Sequence, residues 1–128
     1  MAITQISTAN APMPAGHYSQ ATVHLGVVYV AGQLPIDPAT GKMIEGDMTA
    51  QARRALANVR AILEAAGSDF AHVLKMQVYV PDIALWGEFN AAYINVMGSA
   101  KPARAVIPTR DLKPGCLVEI DCIAAVRA

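Results

Sequence analysis

Charge is scarce in this chain. Asp, Glu, Lys and Arg make up 16% of its 128 residues, against about 25% in an average domain. Ten basic and ten acidic residues cancel to a formal net charge of zero, so no bulk positive field draws the protein to nucleic acid or to an anionic membrane. The first Lys or Arg is Lys42, which argues against a basic leader, an Arg-rich transit peptide or a basic arm. Aromatic residues are 5% of the chain, too few to tile a base-stacking surface. Cysteine occurs only at Cys116 and Cys122, a spacing that makes neither a CxxC pair nor a zinc pattern. Both thiols are expected to be reduced and to fill space. The longest strongly apolar run, Leu25 to Ala31, is far too short to span a bilayer. A soluble cytosolic protein with no membrane and no nucleic-acid partner is the expectation.

Common catalytic signatures are absent too. There is no Walker loop, GxGxxG, HExxH or GxSxG. His17, His24 and His72 lie in separate segments without ligand spacing. They read as loop or surface histidines, and no metal or cofactor is expected.

What is abundant is apolar surface, at 54% of residues. A 13.5 kDa chain is one domain, 1–128, with roughly 6,500 Å² of folded surface to cover. With so few charges, an oligomer that hides part of that surface is one reading. Inflation of the count by alanine is the other.

The elements follow from periodicity. Residues 9–16 (ANAPMPAG) read as an ordered loop. Ala21 to Gly32 reads as a hairpin turning near Leu25-Gly26. In the loop from Leu34 to Gly41, Asp37-Pro38 starts a turn that Gly41 closes with positive φ. Met48 to Ala66 is the clearest helix. Ala52, Ala55, Leu56, Val59, Ile62, Leu63 and Ala66 form its apolar face, while Gln51, Arg53, Arg54, Asn58, Arg60 and Glu64 lie on other faces. Asp47 or Thr49 caps its start and Gly67 its end. Val73 to Val80 alternates as a strand, with Leu74, Met76, Val78 and Val80 on one face, and Pro81 stops it. A second helix is expected over Ile83 to Met97, with Trp86, Phe89, Tyr93 and Val96 as its packed stripe. Strands follow at Ala103–Thr109 and Leu117–Val126, and an extra first strand is expected near Thr4. The order β-β-α-β-α-β makes a single α+β domain: one mixed or antiparallel sheet with two helices on one face. The other sheet face is too apolar for solvent, which favours the oligomer.

Two charges break this pattern. Arg104 lies in Ala103–Ile107 and Glu119 in Leu117–Ile120, both apolar strands. If these strands form a hairpin about Leu112, Glu119 lies near Val106, with Arg104 a diagonal step away on the same face. One reading is a structural ion pair or two edge charges. The other is chemical. The planar guanidinium fork matches a substrate carboxylate, and a partly desolvated Glu moves a proton or orients water. Together they suit a small carboxylic acid undergoing hydrolysis or tautomerisation at an activated centre.

In order and spacing the chain resembles the reactive intermediate deaminase family, also called the YjgF or RidA family. The resemblance is carried by Gly16-His17-Tyr18-Ser19-Gln20-Ala21, Ala31-Gly32-Gln33-Leu34-Pro35, Asp37-Pro38-Ala39-Thr40-Gly41, Phe89-Asn90 with Tyr93, Pro102-Ala103-Arg104, and Val118-Glu119-Ile120 through Ile123-Ala124. It implies a chorismate-mutase-like fold and a homotrimer with sheets facing inward and sites between subunits. It also implies hydrolysis of reactive enamines and imines, such as 2-aminoacrylate and 2-iminopropionate, to 2-keto acids and ammonia, without metal or cofactor. By the same resemblance Arg104 would clamp the carboxylate and Glu119 would activate water. Tyr18, Gly32 and Asn90 would line the pocket, and the Val106 carbonyl would accept from the substrate nitrogen. The family usually has Pro at His17, and many members have Ser at Ala31 and Cys at Val106. A 2-keto acid binding protein, or a deaminase of a larger enamine such as an aminomuconate, is the alternative.

Overall fold

A computed structural model describes residues 2–128. Its strands are β1 (Thr4–Ile6), β2 (Ala21–His24), β3 (Val27–Gln33), β4 (Ile36–Asp37), β5 (Lys42–Met43), β6 (Val73–Val80), β7 (Ala103–Pro108) and β8 (Glu119–Ala125), with helices α1 (Met48–Ala65) and α2 (Trp86–Met97). One mixed sheet runs in the order β1-β2-β3-β8-β6-β7, and β4-β5 form a small separate hairpin. Among the described residues, only β6 and β7 pair in parallel. Both helices pack on one sheet face, so the α+β expectation holds.

Local chemistry sets the element ends. Leu25 and Gly26 both take positive φ, 51° and 77°, the mirror-image turn whose twist suits a two-residue hairpin. Gly41 at φ 72° returns its N–H to the Asp37 carbonyl at 2.8 Å, closing the expected turn. Asp47 caps α1 by accepting from the Ala50 N–H at 3.0 Å. Gly67, at φ 80°, ends α1 as Ser68 N–H reaches back to the Leu63 carbonyl at 2.8 Å.

The core lies between the α1 face Ala52, Ala55, Leu56, Val59, Ile62 and Leu63 and the sheet residues Val28, Met76, Val78, Ile120 and Ala124, all fully buried. Two residues expected on other faces of α1 are instead buried. Asn58 donates to the carbonyls of Leu34 and Ile36 at 3.0 and 2.8 Å. Gln51 donates to the Gly115 carbonyl at 2.9 Å and accepts from Leu117 N–H at 2.8 Å. Each amide satisfies backbone groups of a loop that runs over the helix flank. Gln20, also buried, does the same for the N-terminal loop, donating to the carbonyls of Thr8 and Pro12 at 3.0 and 2.9 Å.

Four expectations are corrected. Leu74 leaves the face it was to share with Met76, because the register of β6 against β8 shifts between Val73 and Lys75; it is exposed. The second helix begins at Trp86, after a short 3-10 turn over Ile83–Leu85 capped by Asp82. Trp86 is 42% exposed rather than packed, and the buried stripe is Phe89, Ala92, Tyr93 and Met97. Finally, β7 and β8 are not hairpin partners. β6 lies between them, parallel to β7 and antiparallel to β8. The segment β6–α2–β7 is a crossover unit, the connection that parallel strands require.

Candidate active site

The sheet separates Arg104 from Glu119. Arg104 is paired with Met76, whose side chain is buried under the helices. Glu119 is paired with Tyr79, three positions along β6. Directly paired residues share a face and successive residues alternate, so Arg104 is on the helix face and Glu119 on the open face. Two strand spacings and three residue rises put their Cα atoms roughly 14 Å apart. The expectation that both charges point to one side is therefore overturned, and so is an ion pair between them.

Arg104 is set at the sheet edge against α2. One guanidinium N–H donates to Asn90 Oδ1 at 2.9 Å. Its Cζ lies 4.8 Å from the Tyr93 ring centre and 5.8 Å from that of Trp86. Positions 86, 90 and 93 share one side of a helix, four and three residues apart. Among the described residues, the ion pairs are Arg60–Glu64, His72–Asp69 and Arg127–Asp69; Arg104 has no carboxylate partner. A cavity of about 590 Å³ beside it is lined by Tyr93, Ile94, Met97, Pro102 and Arg104, among others.

Val106 lies two residues further along β7. Thr109 N–H donates to the Val80 carbonyl on β6 at 2.8 Å. Backbone groups alternate in direction along a strand, so Ile107 and Ala105 also face β6, while the Val106 carbonyl faces the outer edge. Among the described residues, no strand pairs with β7 on that side.

Glu119 occupies a different setting. It shares a cavity of about 450 Å³ with Tyr18, Ala31, Gly32, Leu34 and Lys113. Gly32 lies within the register irregularity between Val30 and Gln33. A Cβ at Gly32 would collide with Glu119 Oε2 and lie 3.1 Å from its Cδ, so the close approach of backbone to carboxylate requires glycine here. Tyr18 is exposed, and its hydroxyl accepts from Ala15 N–H at 3.3 Å. Burial pushes the Glu119 carboxyl above its ordinary pKa, the charge of Asp121 adds to this, and Lys113 pulls it back. Asp121 is also raised by burial, against the hydrogen bond it accepts from Tyr79 Oη at 2.8 Å. That Tyr79 phenol is pushed up to about 12, first by burial. A carboxyl raised in this way exchanges a proton with water more readily than an ordinary solvated one.

Of the residues singled out in the sequence, Arg104, Asn90 and Val106 thus gather at one edge, and Glu119, Gly32 and Tyr18 at another place. Trp86 and Lys113 were not singled out as site residues. Trp86 could have been found from its helical spacing to Asn90 and Tyr93, whereas nothing in the pattern marks Lys113. His17 is exposed, and His72 binds Asp69 through Nδ1 at 2.6 Å. No helix among the described residues is long and apolar enough to cross a membrane.

Two groups of candidate residues thus lie on opposite faces of one sheet, and comparison places the fold. A family model described as "Endoribonuclease L-PSP" matches residues 8–126. A RutC family protein of Pyrococcus horikoshii is 43% identical over 119 residues, covering 93% of this chain and 94% of the relative. The 2-iminobutanoate/2-iminopropanoate deaminase of Bos taurus is 42% identical, covering 93% and 87%. The crystal structure of RidA from an Antarctic Psychrobacter superposes with a TM-score of 0.91 at 36% identity, covering 96% and 99%. The chain belongs to this RidA/YjgF family, as its sequence motifs imply.

Proposed function

We propose that this protein hydrolyses reactive enamines and imines of the 2-aminoacrylate/2-iminopropanoate class to 2-keto acids and ammonia. The reading is carried by Arg104: a guanidinium fixed by an amide and two aromatic rings, with no carboxylate partner of its own, beside an open strand edge. Such a group suits a substrate carboxylate.

A small acid cannot touch Arg104 and Glu119 of one copy at once. We therefore assign the complete site to the junction of two copies in a homotrimer, one supplying Arg104, Asn90 and Val106, the other Glu119, Gly32 and Tyr18. The open sheet face, where Tyr29 opposes Ile123, is the surface a neighbour would cover.

Arg104 holds the carboxylate, and the Val106 carbonyl accepts an N–H of the protonated imine, favouring the electrophilic iminium. The Glu119 carboxylate takes a proton from water as the new C–O bond forms. Glu119 then returns its proton to nitrogen, the C–N bond of the carbinolamine breaks as the hydroxyl oxygen forms the new C=O, and the hydroxyl proton passes to the departing ammonia, which leaves as ammonium. The oxidation state of carbon is that of the keto acid throughout, so the step consumes neither oxidant nor reductant.

Freshly generated 2-iminopropanoate should release pyruvate faster with the purified protein than in buffer. An unchanged decay rate would sink the proposal. Calorimetric binding of 2-keto acids without turnover would replace it with a binding role, and RNA cleavage lost in Arg104→Ala would replace it with nuclease chemistry.

A further inference from the structure

We infer that Lys113, which lines the same cavity as Glu119, is a positioning residue for it: its positive charge favours the carboxylate, the water-activating form. The inference rests on the deaminase reading above and extends it to a residue that the family motifs do not mark.

The geometry comes first. Lys113 and Glu119 line one cavity of about 450 Å³, with Tyr18 and Gly32. Lys113 belongs to the loop between β7 and β8, and that loop is not loose. Cys116 N–H donates to the Lys113 carbonyl at 2.9 Å, closing a turn in which Gly115 has φ 80°. The buried Gln51 side chain binds this loop on both sides, at the Gly115 carbonyl and the Leu117 N–H, at 2.9 and 2.8 Å. The α1 flank therefore fixes the backbone from which the lysine reaches the cavity.

The electrostatics follow. Facing Glu119 are Asp121 on its own strand, Tyr79 opposite it on β6, Tyr18 from the N-terminal loop, Lys113, and the Cys116 thiol, which burial pushes up. Burial and Asp121 both favour the protonated acid, and a neutral phenol opposes neither. Lys113 is the cation among these groups, and it favours the carboxylate. A protonated Glu119 cannot take the proton from water, so loss of the ammonium moves the acid limit of activity to higher pH. Arg104 of a neighbouring copy acts equally on wild type and variant, and its charge is answered by the substrate carboxylate.

The direct measurement is a carbon-13 NMR titration of the Glu119 carboxyl in the purified, substrate-free assembly. Lys113→Met should raise the titration midpoint, and Lys113→Arg should restore it. In the pH profile of kcat/KM for 2-iminopropanoate, the Lys113→Met variant should lose more activity at pH 6 than at pH 9. An unmoved carboxyl titration overturns the inference, and so does a KM increase equal at every pH, which would mean that Lys113 binds substrate itself. If the midpoint moves in a protein that turns over no imine, the deaminase reading fails alone and the coupling of Lys113 to Glu119 stands.

Discussion

The two proposed half-sites are built in opposite ways. The Arg104 half stands on regular structure: one residue of an edge strand against three side chains at helical spacing on α2. Its charge is permanent. The Glu119 half is assembled from a strand irregularity at Gly32, an N-terminal loop carrying Tyr18 and the loop carrying Lys113. Its charge is adjustable, because burial and Asp121 push the carboxyl up while Lys113 draws it down. A fixed cation on rigid scaffolding suits recognition, and a tunable acid among loops suits proton transfer.

The contrast is broken most severely at its permanent charge. Arg104→Ala removes a charge-assisted fork and should lower kcat/KM for 2-iminopropanoate by about a thousandfold, with circular dichroism and assembly size unchanged. A loss seen only through unfolding would return Arg104 to a structural role. Mixing is the next largest effect. Subunits carrying Arg104→Ala, refolded 1:1 with subunits carrying Glu119→Gln, should regain about a quarter of wild-type activity, since about one junction in four receives both intact halves. No recovery would mean that one copy holds a complete site.

Gly32→Ala tests how tightly the Glu119 half is packed. The added methyl group forces the carboxylate aside, and activity should fall about tenfold to a hundredfold. Urea unfolding then separates displacement of Glu119 from loss of the fold. Asp121→Asn probes the adjustable charge through stability. The folded-state pKa of Asp121 is raised, so its ionisation costs stability as pH rises through that value. The variant should melt higher than wild type at pH 8, with the difference shrinking at pH 4. The smallest effect is expected beneath Arg104. The Tyr93 hydroxyl is buried without a hydrogen-bond partner, so Tyr93→Phe keeps the ring under the guanidinium and should stabilise the fold by about 1 kcal/mol or less.

Where a feature depends on neighbours in the chain, it could be read from the sequence. The extent of α1 and its Asp47 cap, the Leu25-Gly26 turn and the bounds of β6 all follow from spacing and turn chemistry. Arg104 and Glu119 stood out as charges in apolar strands. Their relation did not, because it depends on which strands become neighbours. The overlooked clue was the strand–helix–strand run from Val73 to Pro108, a crossover that allows β7 to pair in parallel with β6; that β8 then pairs with β6 and not with β7 is seen only in the fold. Gln51 and Asn58 were misplaced for a related reason. A polar side chain on a helix flank looks solvent-exposed until a loop supplies the backbone groups it satisfies.

Pro108 ends β7 on the side where Val106 faces outward, at the position where another residue would offer an N–H to an incoming strand. Proline offers none. The exposed ladder is therefore cut short after Val106, leaving little template for edge-to-edge stacking. An assembly of such chains is steered away from open-ended fibrils, the hazard that unprotected sheet borders carry.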